Sequence, residues 1–240
     1  MPKALHLSII FVILVAIGFT AIMLILRYDE KGEENMPFDI SKVSLISSIN
    51  AQDIADDKNL WNKAVGQDND VYIYIEKNKG YSKTETIEKI ILDNFKIDKE
   101  PQKGQVVIYR PCNNEKELFE DTDEFKCEEI TFTGEQLTKI QELKISNQGG
   151  IIAFRLANQN LGSYVSNDKE IDYKDLLKKI NVLEDEIKVS ISFDVTIKLT
   201  ESKQFKTTIN IELPVEGVIE NGKSSKEIEG KDFIFKRIET

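Results

Sequence analysis

Residues 187–199 read IKVSISFDVTIKL, where Ile187, Val189, Ile191, Phe193, Val195, Ile197 and Leu199 alternate with polar residues over all 13 positions. Successive side chains of a strand point to opposite faces, so this period of two predicts a strand with one face buried and one wet. A polar turn, Thr200 to Gln204, follows, and then a second alternating run: Phe205, Thr207, Ile209, Ile211 and Leu213. The pair reads as an antiparallel hairpin. Pro214 ends its second arm, because proline has no N–H to give to a ladder.

Working outward, Val43 to Ile49, Val71 to Glu76 and Gln105 to Arg110 read as further strands. Ile87 to Ile97 carries apolar residues that fit a helix face, but its β-branched content favours a strand. Glu129 to Thr133, Leu143 to Ser146 and Ile151 to Ala157 follow, the last two joined by the turn Asn147-Gln148-Gly149-Gly150. Asn221-Gly222 marks another turn, and Asp232 to Ile238 a last strand. One helix is expected over 173–182, capped by Asp172, with Leu176, Leu177 and Ile180 on one apolar stripe. The pattern predicts an all-β chain, an immunoglobulin-like β-sandwich built as one large or two packed small β domains, with one short crossover helix.

A different kind of segment precedes all this. Leu7 to Leu26 (LSIIFVILVAIGFTAIMLIL) is unbroken by charge and closes at Arg27. As a helix it is about 30 Å long, the thickness of a bilayer's hydrocarbon. The only passable cleavage site, Ala16-Ile17-Gly18, lies inside the run, which favours a retained anchor over a signal peptide. The expected layout is a leader (1–6), a transmembrane helix (7–26), a charged spacer (27–36) and a β-rich domain (37–240). A six-residue leader ahead of a large domain is the usual plan of a signal anchor, which puts the domain outside the cytoplasmic membrane. Arg27 and Tyr28 stand where a snorkelling cation and an interfacial aromatic belong.

Composition narrows the functions open to the domain. Residues 1–27 hold none of the 42 Asp and Glu and only two of the 32 Lys and Arg, so the remainder is more acidic than the chain's formal −10. Such a surface repels phosphate backbones, so nucleic acid is not an expected partner. The Lys-, Ile- and Asn-rich usage suits an AT-rich bacterial genome. The single His, His6, sits in the leader, which removes Ser-His and Cys-His nucleophiles and His-based metal sites from the domain. No enzyme, cofactor or metal is expected. Cys112 and Cys127 are too far apart for a C-x-x-C motif, and two thiolates without His do not complete a zinc site. In an oxidising compartment they are expected to pair, closing a loop worth about 3 kcal/mol in the chain-entropy model.

Several residues stand out as contact candidates. Asp53, Asp56 and Asp57, then Asp68 and Asp70, then Glu120, Asp121, Asp123 and Glu124 form acidic groups, read as solvated loops because none carries a calcium-loop pattern. Only four cations are Arg, and Arg110, Arg155 and Arg237 each stand beside an aromatic residue in an expected strand. Arg grips a carboxylate with two parallel bonds where Lys does not, so these three are candidates for ligand contacts or structural ion pairs. Trp61, the lone tryptophan, lies in a polar stretch and is either a contact residue or a plug for one end of the fold. The amide-rich Asn158-Gln159-Asn160 reads as a turn or a polar binding loop. The function expected is a membrane-anchored, non-catalytic envelope protein that binds a protein partner or wall polymer. The alternative is a module that binds a small ligand or glycan, with calcium as an aid.

Overall fold

The computed structural model of the chain describes residues 3–34, 36–57, 60–81, 84–112, 117–133, 146–166 and 170–238. In chain order the elements are helix α1 (Lys3–Lys31) and strands β1 (Phe38–Asp57), β2 (Leu60–Lys77), β3 (Ile87–Lys99), β4 (Gln105–Tyr109), β5 (Ile130–Thr133) and β6 (Gly150–Ser166). Then come α2 (Leu176–Lys179), β7 (Ser190–Leu199), β8 (Gln204–Glu212), α3 (Val218–Asn221), β9 (Lys223–Glu229) and β10 (Lys236–Ile238). The strands form two antiparallel five-stranded sheets, ordered β4-β6-β2-β1-β9 and β10-β8-β7-β3-β5. The protein is thus mostly β, with few helices and an apolar helix at its N-terminus.

The expected hairpin is β7 with β8, in the register Ile191↔Ile211, Phe193↔Ile209 and Ile197↔Phe205. All these inward side chains are buried. The strand begins at Ser190 rather than Ile187, because a 3-10 turn at Glu184–Glu186 occupies the approach. Residues 87–97 are indeed a strand, β3, with a register shift around Asn94, whose φ is 54°. The first sheet meets the second through three rings. Phe154 of β6 stands edge-on to Phe95 of β3 and Phe193 of β7, with centroids 5.2 and 5.0 Å away, and Phe95 stacks on Phe193 at 5.5 Å. Such offset and edge-to-face contacts suit the ring quadrupoles and fill space densely.

Residues 51–57 and 60–70, expected as loops carrying acidic groups, are instead the far half of the antiparallel pairing of β1 with β2, which runs from Phe38↔Lys77 to Asp57↔Leu60. The apolar alternation fails there because inward positions are polar yet paired. Ser47 donates to Asn69 Oδ1, Gln67 Nε2 donates to the same oxygen at 3.1 Å, and Asn69 Nδ2 donates to the Leu156 carbonyl at 3.1 Å. Buried polar groups are tolerated where they are hydrogen-bonded. This layer divides the interior into a main apolar core and a smaller one around Ile49, Val65, Leu161, Leu176, Leu177 and Val218.

The expected helix over 173–182 shrinks to the single turn of α2. Asp175 and Asn181 adopt left-handed conformations on either side of it, φ 55° and 56°, and Asp172 accepts from Lys174 N–H rather than capping a long helix. β9 escapes the periodicity because this edge strand is mostly exposed. The last strand is shorter than expected, since a 3-10 turn at Gly230–Asp232 precedes it. The strand expected at Leu143 to Ser146 lies, apart from Ser146, outside the described residues.

α1 includes a 20-residue stretch, Ile10–Asp29, that is long and apolar enough to cross a membrane, and no residue of its apolar window is buried. The spacer after it is held rather than loose. Glu33 N–H donates to the Phe235 carbonyl at 2.9 Å, Arg237 N–H donates to Tyr28 Oη at 2.8 Å, and Lys236 pairs with Asp29 at 2.7 Å. Met36 and Phe235 are then buried in the main core.

Replacing Phe193 by Ala should cost about 3–5 kcal/mol, since it empties the contact between the sheets. Urea unfolding of the full chain in detergent, followed by its β-sheet circular dichroism, checks this; a midpoint equal to wild type would show that the rings do not hold the sheets together.

Candidate functional site

The densest polar cluster lies on the outer face of the first sheet. Arg155 on β6 stands opposite Asp70 on one side and Tyr109 on the other, so register alone lines up three side chains. The guanidinium faces two carboxylates: Nε and Nη2 donate to the two Asp70 oxygens at 2.6 and 3.0 Å, and Nη1 lies 3.1 Å from Asp68 Oδ2. The Phe119 ring, 4.8 Å from Cζ, covers its open face. Asp68 also accepts from Asn50 Nδ2 at 2.7 Å.

Phe119 belongs to the segment between β4 and β5, which folds back along the sheet edge. Arg110 N–H donates to Phe125 O at 3.0 Å and Cys127 N–H to Ile108 O at 3.2 Å. Asp121 of the same segment accepts from Gln52 at 3.2 Å and from Gln159 at 3.1 Å, and Gln159 also donates to Tyr109 Oη at 2.9 Å. Burial, seconded by the Asp121 carboxylate, pushes the Tyr109 phenol far above its ordinary value. Burial likewise raises Asp68, and the Arg155 charge only partly offsets it. Because Arg155 is held by Asp68 and Asp70 and Phe119 lies over its face, the arrangement clasps a covering segment to the sheet.

The other arginines lie apart from this one in role. Arg110, just beyond β4, is exposed, 5.6 Å from the Phe125 ring and in contact with Glu124 O at 3.4 Å. Arg237 is an exposed residue of β10, in the other sheet beside the C-terminal end of α1. Trp61 is a residue of β2 opposite Asp56 and Ser166, not a loop residue, and its side chain lies outside the described residues. Asn158, Gln159 and Asn160 are likewise inside β6 rather than in a loop. Cys112 and Cys127 are free thiols: Cys112 is buried and donates to Glu117 O at 2.9 Å, while burial raises the half-buried Cys127.

Asp53 pairs with Lys63 across β1 and β2, and Asp123 with Lys126. Among the described residues no group of three or more His, Cys, Asp or Glu side chains is placed to hold a metal ion. Asp68 and Asp70 were visible in the sequence as an acidic pair, but their strand was not. The i, i+2 spacing just before the alternating Val71 to Glu76 was the available signal that both carboxylates share one face. Asp121 stood out only within its acidic group and Tyr109 only as the neighbour of Arg110, and Phe119 gave no signal, since only the fold brings the covering segment to β6. No protein-family model, no curated protein and no solved structure matches the chain.

Asp68 has a folded pKa above its unfolded value, so its contribution to stability is full below the unfolded pKa and is lost as pH rises through the folded one. Asp68→Asn should therefore cost less at pH 7 than Asp70→Asn, which removes the paired charge and one of two bonds from a mostly buried cation at about 3 kcal/mol. Urea midpoints at pH 4 and pH 7 test the order, and equal costs at both pH values would refute it. For the thiols, denaturing alkylation without reductant should add two labels per chain, whereas no label would reveal the disulfide expected from the spacing.

Proposed function

We propose that this is a single-pass membrane protein whose β domain stands outside the cytoplasmic membrane and binds an envelope protein or wall polymer without catalysing a reaction. The observation that carries this reading is the contrast within α1: its apolar length touches nothing in the domain, while its C-terminal end is bonded to it. A helix apolar on all sides and unburied needs a lipid environment.

The two sheets are read as the layers of a β-sandwich of immunoglobulin-like type, supported by the core that residues of both sheets share. Binding rather than chemistry is supported by the bidentate pairing of Arg155 with Asp70 and by the placement of the only His in the leader. Reach supports an envelope partner. β1 begins beside the anchor and runs for 20 residues, which at about 3.3 Å each spans about 60 Å. Ile54 near its far end and the neighbouring Val165 of β6 are more than half exposed, and in this reading that end stands farthest from the bilayer.

A membrane-impermeant maleimide should label Ser163→Cys on intact cells well above the wild-type background, because Ser163 is exposed near that far end. Labelling that appears only after lysis would put the domain in the cytoplasm and defeat the proposal.

A further inference from the structure

The last turns of α1 and the chain that reverses after it enclose a notch of about 270 Å³, lined by Leu24, Arg27, Tyr28, Lys31, Glu33 and Glu34. Gly32 makes the reversal: its φ is 68°, and an added Cβ would lie 2.3 Å from Phe235 O. The chain therefore returns along the helix and brings two carboxylates beside two cations. Leu24 belongs to the apolar run and Arg27 ends it, so in a retained span the notch opens where hydrocarbon meets headgroups. That depth rests on the anchor proposed above.

The charges select a ligand class. Arg27 and Lys31 are four residues apart on one helix face, while Glu33 and Glu34 lie on the returning chain, so the notch is neutral in sum with its signs separated. Arg27 donates to Glu34, yet their side chains stay 58% and 61% exposed. Lys31 and Glu33 have no ion-pair partner among the described residues. An anionic headgroup would gain from the cations what it loses to the carboxylates. A zwitterion meets both, with its phosphate on Arg27 and Lys31 and its ammonium on Glu33 and Glu34. A primary ammonium donates three hydrogen bonds to carboxylates, whereas a quaternary one donates none. We propose that this notch holds the headgroup of a phosphoethanolamine lipid from the leaflet that surrounds the C-terminal end of the anchor.

The test uses the full chain in nanodiscs made of equal parts ethanolamine, choline and glycerol phospholipids, released into mild detergent and weighed by native mass spectrometry. Bound ethanolamine lipid should exceed choline lipid about threefold, the scale of exposed ion pairs acting together. In the Glu33→Gln, Glu34→Gln double variant, whose changes lie outside the domain core, the ratio should fall to about one as those pairs are removed. Equal retention of the three lipids by the wild type, a preference for the glycerol lipid, or an unchanged ratio in the double variant overturns the proposal. The same spectrum weighs the chain itself, so cleavage of the anchor would show separately as a loss of the N-terminal mass.

Discussion

The structure depends on the contact of Phe154 with Phe95 and Phe193. Each sheet turns an apolar face inward, and such a face is unstable until it meets another apolar surface. The three rings join the two faces, and the alternating residues of β1, β2, β3, β7 and β8 pack into the same core. Other parts are arranged around this junction: α2 and α3 cover the smaller core, and Phe119 and Asp121 lie over the outer face of β6.

The legible parts of the sequence were those where burial follows the strand period. The hairpin of β7 and β8 could be read because every inward position from Ile191 to Leu199 is apolar and every outward one except Val195's neighbour Thr196 meets solvent in some degree. Residues 51–70 could not, since Gln67 and Asn69 are as buried as any Val, with the Gln67 amide nitrogen bonded to Asn69 and Asn69 bonded in turn to the Leu156 carbonyl. A polar residue in the interior looks, in sequence, the same as a polar residue in a loop. The helix near residue 176 failed for a different reason: its apolar stripe is real, but two left-handed residues confine it to one turn.

Of the candidate site, Arg155 was visible by its rarity in a Lys-rich chain, and the structure gives that rarity a cause. Holding two carboxylates and an aromatic ring at once demands a flat cation with several donors, which an ammonium does not offer. The partners were hidden because they come from strands and a covering segment far apart in the chain. An acidic domain of this size also contains internal carboxylate pairs, as at Asp53 with Lys63 and Asp194 with Lys206, so its surface charge is partly held in local pairs.

The joint between α1 and β10 has a consequence for the order of assembly. The helix is made long before Phe235, Lys236 and Arg237, which pin it. Contacts between segments so far apart in a chain close late, after the loop entropy between them has been overcome by the intervening fold. During synthesis, then, helix and sheets are joined by the chain alone, and the angle between them is set only when β10 docks.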